Sequence, residues 1–175
     1  MDGPVVGVVV GSDSDLPVVY QACETLEKLG IPHEVVIASA HRTPEKTAEY
    51  ARTAEGRGLL VIIAAAGGAA HLPGVLAAHT SLPVIGLPVQ NGALQGVDAL
   101  YSIVQMPPGV PVAGVAINGA VNAALFAARI VGAGNPALRE KLNRYRQEMA
   151  AKVEEKAARL AAVGIKKYLA EQLQG

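Results

Sequence analysis

The stretch Val36–Pro44, with the sequence VIASAHRTP, contains the signals that decide the fold. An apolar run ends in Ser39-Ala40-His41-Arg42, and a helical pattern opens at Thr43-Pro44, where proline suits the first turn of a helix. A strand that passes through a short loop into a helix is the repeating unit of an α/β protein. Because α/β proteins build active sites from the loops after their strands, this hydroxyl, imidazole and guanidinium are candidate functional groups. A solvated surface loop is the alternative interpretation of the His-Arg pair.

The same alternation of strand and helix extends along the chain. Apolar runs rich in Val and Ile, with little polar alternation, predict parallel strands buried on both faces at Val5–Val10, Glu34–Ala38, Leu59–Ala65, Pro83–Leu87 and Val112–Ile117. Helical patterns predict helices at Leu16–Leu29, Pro44–Glu55, Ala69–His79, Ala93–Gln105 and Val121–Ile130. Gly30 and Gly56 are expected to stop the first two helices. The fold class is therefore α/β, a three-layer αβα sandwich around a central parallel sheet.

The segment from about 136 to 174 has a different composition, being charged and rich in helix-forming residues. It predicts a C-terminal helical extension that Gly164 breaks near its end. One apolar face recurs at steps of three and four residues, at Leu138, Leu142, Tyr145, Met149 and Val153. This face is either that of a solvated tail helix or, as we favour, a contact with another subunit. We expect residues 1–175 to form a single domain whose core spans about 4–133.

Composition excludes several kinds of partner. The formal net charge is zero and aromatic residues make up only 3% of the chain, whereas nucleic-acid binders usually carry basic stripes and stacking aromatics. The apolar run Leu59–Ala70 is interrupted by Gly67-Gly68 and is shorter than the ~20 residues that span a membrane. We therefore expect neither a nucleic-acid partner nor a membrane. A hydrophobic fraction of 51% favours an oligomer that hides apolar surface.

The cysteine count and the spacing of possible metal ligands indicate the cellular compartment and the cofactors to expect. Cys23 is the single cysteine, so it forms no disulfide within the chain, and no secretory signal precedes the first strand. Both observations favour the cytoplasm. The sequence has no cysteine pair, no His-x-x-x-His and no cluster of carboxylates, so we expect no metal and no other cofactor.

Two further loops follow predicted strands and are, like the loop Ser39–Arg42, candidate parts of a functional site. Gly11–Asp15, GSDSD, precedes a helix, where backbone N–H groups and the helix dipole favour an anion; capping by Ser14 or Asp15 is the alternative. Gly67–His71, GGAAH, lacks bulk and lets a ligand approach the backbone, with tight helix–sheet packing as the alternative. Since parallel strands end at one edge of a sheet, the three loops are expected to converge on one pocket for a small anionic ligand.

Four segments in order carry a resemblance to a known family: Gly11–Asp15, Ser39–Pro44, Gly67–Gly74 and Gly96–Pro107. Over roughly residues 4–155 the chain resembles the class I N5-carboxyaminoimidazole ribonucleotide mutases, the family of the phosphoribosylaminoimidazole carboxylase catalytic subunit. The resemblance implies a flavodoxin-like fold and a homo-octamer. It implies conversion of the N5-carboxylated nucleotide to 4-carboxy-5-aminoimidazole ribonucleotide, in purine (IMP) biosynthesis, without ATP or metal. The chain departs from the family pattern at Asn118–Val121.

The resemblance also implies roles for particular residues. His41 would be the catalytic general acid and base, giving a proton as CO₂ leaves and removing one after CO₂ recombines. The substrate-binding residues fall into three groups: Ser12, Ser39 and Arg42 for the 5′-phosphate, Asp15 for the ribose, and Gly67, Gly68, Ala69 and His71 around the released CO₂. The partners would thus be a nucleotide and CO₂.

Other functions remain open on these residues. A carboxylase that acts on aminoimidazole ribonucleotide and free CO₂ would use the same groups. A receiver domain needs an acceptor Asp after the third strand and a Lys after the fifth, where this chain has Ala66-Gly67 and Asn118-Gly119. A flavin-binding electron carrier would share the topology, but these loops offer no aromatic ring to stack on a flavin.

Overall fold

A computed structural model describes residues 3–173, in which strands and helices alternate. The strands are β1 (Val6–Val10), β2 (His33–Ile37), β3 (Val61–Gly67), β4 (Val84–Val89) and β5 (Ala113–Gly114). The helices are α1 (Leu16–Leu29), α2 (Pro44–Ala54), α3 (Leu72–Ala77), α4 (Val97–Val104), α5 (Ala120–Gly132) and α6 (Pro136–Gln172). The predicted end of the helical extension, Gln174, lies outside the described residues.

The strands form one parallel sheet in the order β2-β1-β3-β4-β5. Val8 in β1 lies opposite Val35 on one side and Ile63 on the other. This is the flavodoxin-like order, in which the chain reverses direction across the sheet between β1 and β3. The flavodoxin-like sandwich with a C-terminal helical extension is therefore confirmed.

Both faces of the sheet carry a core, which explains the unbroken apolar strands. Val6, Val8 and Val10 pack in the layer that contains α1 and α5, whereas Val9 packs in the layer that contains α2, α3 and α4. Leu138 at the start of α6 joins the first of these layers. Alternate side chains of a strand point to opposite faces, so a strand covered on both faces must be apolar at every position.

Strand β2 contradicts the expectation that every strand is buried. Val35 and Ile37 are 44% and 46% exposed. Within residues 3–173 the strand forms an edge of the sheet and pairs with β1 alone, so one of its sides has no neighbouring strand. An edge strand with an apolar sequence cannot be distinguished from an inner strand by its pattern alone.

Three elements are shorter than the sequence predicts because turns precede or interrupt them. Helix α3 begins at Leu72 rather than Ala69, after a turn that starts at the left-handed Gly68 (φ 61°) and extends to His71. Helix α4 begins at Val97 rather than Ala93, since Gln95 and Gly96 have φ values of 53° and 88°. Regular pairing in β5 covers only two residues, and isolated bonds to β4 continue it, with Val115 and Asn118 donating to Gly86 and Pro88 at 3.1 and 2.8 Å.

The predicted helix stops are correct in part. Gly30 ends α1 in the left-handed region (φ 70°), as predicted. The prediction for Gly56 is wrong: α2 ends at Ala54, one turn of 3₁₀ helix follows, and Gly58 supplies the left-handed residue (φ 93°). The remaining element bounds lie within two residues of the prediction, and those of α1 match it.

The helical extension bends sharply at Gly164, as predicted, where φ and ψ are 74° and 158°. Arg159 and Glu171 form an ion pair of 2.7 Å across this bend. Residues twelve apart in a straight helix lie roughly 18 Å apart, so the chain folds back on itself here. Of the predicted apolar face, Leu138 is buried, whereas Met149 and Val153 are 52% and 67% exposed.

Candidate active site

A pocket lies over the carboxyl ends of β1, β2 and β3. This is the position expected for a ligand in this topology, because the strand order reverses between β1 and β3 and leaves a crevice there. The loops that follow these three strands form its walls, as the sequence predicts.

The loop after β2 is a compact turn organised by two hydroxyl groups. The Thr43 hydroxyl accepts a bond from the Ser39 N–H at 2.9 Å and donates to the Ser39 carbonyl at 3.1 Å. The Ser39 hydroxyl accepts from the backbone N–H of Arg42 at 3.1 Å. Pro44 follows as the first residue of α2. The turn thereby presents His41 and Arg42 side by side at the pocket.

Arg42 joins this turn to the loop after β1. Its Nη2 donates to the carbonyl of Gly11 at 3.0 Å, and its Nε lies 3.5 Å from the Ser39 hydroxyl. The guanidinium has five N–H donors, so these contacts leave donors available for an anion in the pocket. Arg42 therefore supplies a fixed positive charge at the junction of two loops.

The loop after β1 places a buried carboxylate beneath two serines. Ser12, rather than Ser14 or Asp15, provides the cap: its hydroxyl accepts from the Ser14 N–H at 3.4 Å. Asp15 makes no side-chain capping bond and is 7% exposed, yet it lines the pocket. Burial raises the pKa of the Asp15 carboxyl, against the opposing effects of the Ser12 backbone and Arg42. This carboxylate is thus suited to accept hydrogen bonds from ligand hydroxyls.

The central feature of the pocket is a contact between two histidines. Nε2 of His41 lies 2.7 Å from Nδ1 of His71, with the rings edge to face. At this distance one of the two facing nitrogens carries the hydrogen and the other accepts it. Residues that are thirty positions apart in sequence therefore share one hydrogen, an arrangement that can pass a proton to a bound molecule.

A wall of small residues faces the histidine pair at the end of β3. Ala66, Gly67 and Ala69 line the pocket, and any β-carbon on Gly67 would lie 3.1 Å from the carbonyl oxygen of Val89. A side chain at Gly67 would therefore be tight against β4, as the packing interpretation of this loop expects. Gly68 turns the chain in the left-handed region and is not itself among the lining residues.

Eight of the nine residues singled out from the sequence line the pocket: Ser12, Asp15, Ser39, His41, Arg42, Gly67, Ala69 and His71. Six further residues line the pocket: Gly11, Ser14, Ala40, Ala66, Leu72 and Asn91. Four of them are small or apolar residues that carry no chemical signal. Ser14 and Asn91 are the exceptions, and their positions after β1 and β4 are the signals that point to them.

Within residues 3–173, no group of three or more His, Cys, Asp or Glu side chains is placed to hold a metal ion. None of the helices in this range is both long enough and apolar enough to span a membrane.

Comparison with known proteins bears on this site. The model of the AIR carboxylase family matches residues 5–152. A relative from Pyrococcus horikoshii, named N5-carboxyaminoimidazole ribonucleotide mutase, is 59% identical over 168 residues, which are 96% of this chain and 95% of the relative. A Saccharomyces cerevisiae protein named phosphoribosylaminoimidazole carboxylase is 54% identical over 95% of this chain but only 29% of its own length. The crystal structure of Treponema denticola PurE superposes with a TM-score of 0.83 at 28% identity, covering 90% of this chain and 98% of that one.

Proposed function

The chain belongs to the AIR carboxylase family, and on that premise we propose that it is an N5-carboxyaminoimidazole ribonucleotide mutase. It moves a carboxyl group from the exocyclic nitrogen of an aminoimidazole ribonucleotide to C4 of the same ring, a step of purine biosynthesis. The observation that carries the proposal is the 2.7 Å His41–His71 contact beside a wall of small residues and an arginine. A proton carrier, a small enclosed space and an anion site are what this reaction requires.

The nucleotide is held by the loops after β1 and β2. Arg42, Ser12 and Ser39 bind the 5′-phosphate, supported by the guanidinium that bridges the two loops at Gly11. Asp15 accepts from the ribose hydroxyls at the base of the same loop. Binding at these two groups orients the imidazole ring toward the histidine pair.

His41 performs both proton transfers. As the carbamate C–N bond breaks, the nitrogen keeps the bonding electrons and receives a proton from His41, and CO₂ is released into the pocket. C4 of the ring then attacks the carbon of CO₂, and His41 removes the proton from C4. The imidazole ends in its starting state, so the cycle consumes no acid, base or ATP. His71 orients His41 through their shared hydrogen.

The wall at Gly67 and Ala69, with Gly68 as its turn, keeps CO₂ next to C4 between the two half-reactions. Holding two reactants in contact replaces a bimolecular step with an intramolecular one, for which effective concentrations reach ~10⁵ M or more. Small side chains allow the ring and CO₂ to lie flat against the backbone.

We further propose a homo-oligomer, the octamer implied by the family resemblance, in the cytoplasm, with 1–175 as a single domain. Supporting the oligomer, α4 exposes an apolar stripe at successive turns, comprising Val97, Tyr101 and Val104, and Leu94 in the preceding loop is exposed as well. Such contiguous exposed apolar surface is typical of subunit contacts. The free thiol of Cys23 is buried in α1, which fits a reducing compartment.

Supplying each candidate substrate separately to the purified protein tests the activity. We expect rapid conversion of N5-carboxyaminoimidazole ribonucleotide, and slow turnover of aminoimidazole ribonucleotide with bicarbonate. Efficient turnover of the second mixture alone would replace the mutase with a direct carboxylase, the activity named for the yeast relative.

A further inference from the structure

Asn91 occupies a wall of the pocket for which no role has been assigned. It follows β4 and lies beside Gly67, where an added β-carbon would sit 3.2 Å from Asn91 Cβ and 3.7 Å from its Nδ2. Its carboxamide forms no hydrogen bond with any other residue in the range 3–173. A carboxamide offers two N–H donors and one acceptor, so Asn91 brings free donors to the small-residue wall.

The neighbouring amides behave differently, because they hold the loop together. The Gln90 N–H donates to Oδ1 of Asn118 at 2.9 Å, and Nδ2 of Asn118 donates to Oε1 of Gln90 at 3.3 Å. The Gln90 side chain donates to that of Gln95, which donates to the Gly92 carbonyl at 2.7 Å. These three side chains form an amide network that ties the loop after β4 to the loop after β5. Asn91 lies between Gln90 and Gln95 in the sequence but takes no part in the network.

The backbone of the network is held in an unusual conformation. Gln95 and Asn118 have φ values of 53° and 56°, and they are the only non-glycine residues with positive φ in the described part of the chain. Non-glycine residues in the left-handed region cost about 1 kcal/mol or more and persist where surrounding structure fixes them. Both residues belong to the network that flanks Asn91 in sequence, and such conformations are concentrated at functional sites.

We propose that Asn91 binds the migrating carboxyl group and that the amide network of Gln90, Gln95 and Asn118 positions it. The inference rests on the proposed mutase activity. Nδ2 of Asn91 donates to an oxygen of the carboxylate, and of CO₂ between the half-reactions, from the side of Gly67. Gly67 leaves the space that this contact needs. The histidine pair and Asn91 thus flank the carboxyl group. The histidines transfer protons, and Asn91 donates a hydrogen bond to a carboxyl oxygen.

Binding measurements on two nucleotides test the contact directly. Asn91→Ala should weaken binding of 4-carboxy-5-aminoimidazole ribonucleotide roughly 10- to 150-fold, the loss of one hydrogen bond to a charged group, and leave binding of 5-aminoimidazole ribonucleotide unchanged. Asn91→Asp keeps the shape but repels a carboxylate, so its loss should be larger. Asn122→Ala, which removes an exposed asparagine on α5, is the matched control and should bind both nucleotides as the unaltered protein does. Equal affinities of Asn91→Ala and the unaltered protein for the carboxylated nucleotide would overturn the proposal.

Asn118 tests the positioning part of the proposal. Asn118→Gly adopts φ 56° without strain but loses the amide, whereas Asn118→Ala loses the amide and keeps the strain. If the amide positions Asn91, both variants should release several-fold more 5-aminoimidazole ribonucleotide and CO₂ per turnover, with little change in KM. If Asn118→Gly releases no more 5-aminoimidazole ribonucleotide and CO₂ per turnover than the unaltered protein does, the positioning role is refuted.

The outcomes also separate this inference from the proposed function. If the unaltered protein fails to turn over or bind either nucleotide, the mutase assignment falls and the inference falls with it. The unaltered protein could be an active mutase while Asn91→Ala keeps its affinity for the carboxylated nucleotide and releases no more intermediate per turnover. In that case only the inference is wrong.

Discussion

Replacing Arg42 with alanine should separate binding of the phosphate from the chemical step. The guanidinium is anchored by its 3.0 Å bond to the Gly11 carbonyl and lies 3.5 Å from the Ser39 hydroxyl, so it is fixed before any ligand arrives. A hydrogen bond to a charged group contributes about 1.5–3 kcal/mol. Loss of the phosphate contact should therefore weaken nucleotide binding roughly 10- to 150-fold. Turnover of the bound substrate should change far less, because Arg42 does not touch the migrating carboxyl group in this account.

Calorimetric titration with a nucleotide and with its dephosphorylated nucleoside is the appropriate assay for Arg42→Ala. The variant should lose affinity for the nucleotide and retain its affinity for the nucleoside. Arg42→Lys should recover part of the loss, since it keeps the charge but not the paired donors. Arg52→Ala, which removes an exposed arginine of α2 paired with Glu49 at 3.4 Å, is the matched control and should bind both compounds normally. An equal loss for nucleoside and nucleotide would show that Arg42 supports the loops rather than the phosphate.

Three further predictions concern the histidine pair, the buried carboxylate and the glycine wall. His41→Asn should lower kcat by ~10²–10⁴-fold while nucleotide affinity stays within roughly tenfold, and kcat like that of the unaltered protein would remove His41 from the mechanism. Because burial raises the pKa of Asp15 above its usual 3.8, the contribution of this carboxyl group to stability is largest below that pH and is lost as pH rises through the raised pKa. Asp15→Asn should flatten this decline in urea unfolding and weaken nucleotide binding, and an unchanged pH dependence would contradict the assigned cause. Gly67→Ala brings a β-carbon 3.1 Å from the Val89 carbonyl, so it should lower unfolding free energy by about 1–3 kcal/mol, whereas Gly56→Ala meets no atom within 4 Å and should not.

The layered fold could be predicted because its signals are local and mutually consistent. Unbroken Val and Ile runs such as Val6–Val10 identify strands covered on both faces, and the Thr43-Pro44 start and Gly30 stop mark helix ends. The errors occur where tertiary structure overrides the local pattern. The apolar pattern of β2 does not reveal that it lies at an edge. Left-handed Gln95 cannot be anticipated, because the amide network that holds it includes Asn118, which is distant in sequence.

The candidate site could be predicted as a set of loops but not as a geometry. Polar residues after three parallel strands had to meet at one edge of the sheet, and the structure brings them to one pocket. The 2.7 Å contact of His41 with His71 has no signal in the sequence, since it depends on the relative height of two loops. The burial of Asp15 and the bond from Arg42 to Gly11 arise from the same convergence.

The central claim is that the carboxyl group moves within an enclosed pocket and does not exchange with solution. The most direct measurement is turnover of N5-carboxyaminoimidazole ribonucleotide labelled with carbon-13 in its carboxyl group, in buffer that contains unlabelled bicarbonate. Product formed in early turnovers should carry the label at the C4 carboxylate. Product whose label is diluted to that of the bulk bicarbonate would contradict it, because the carboxyl group would then have come from solution.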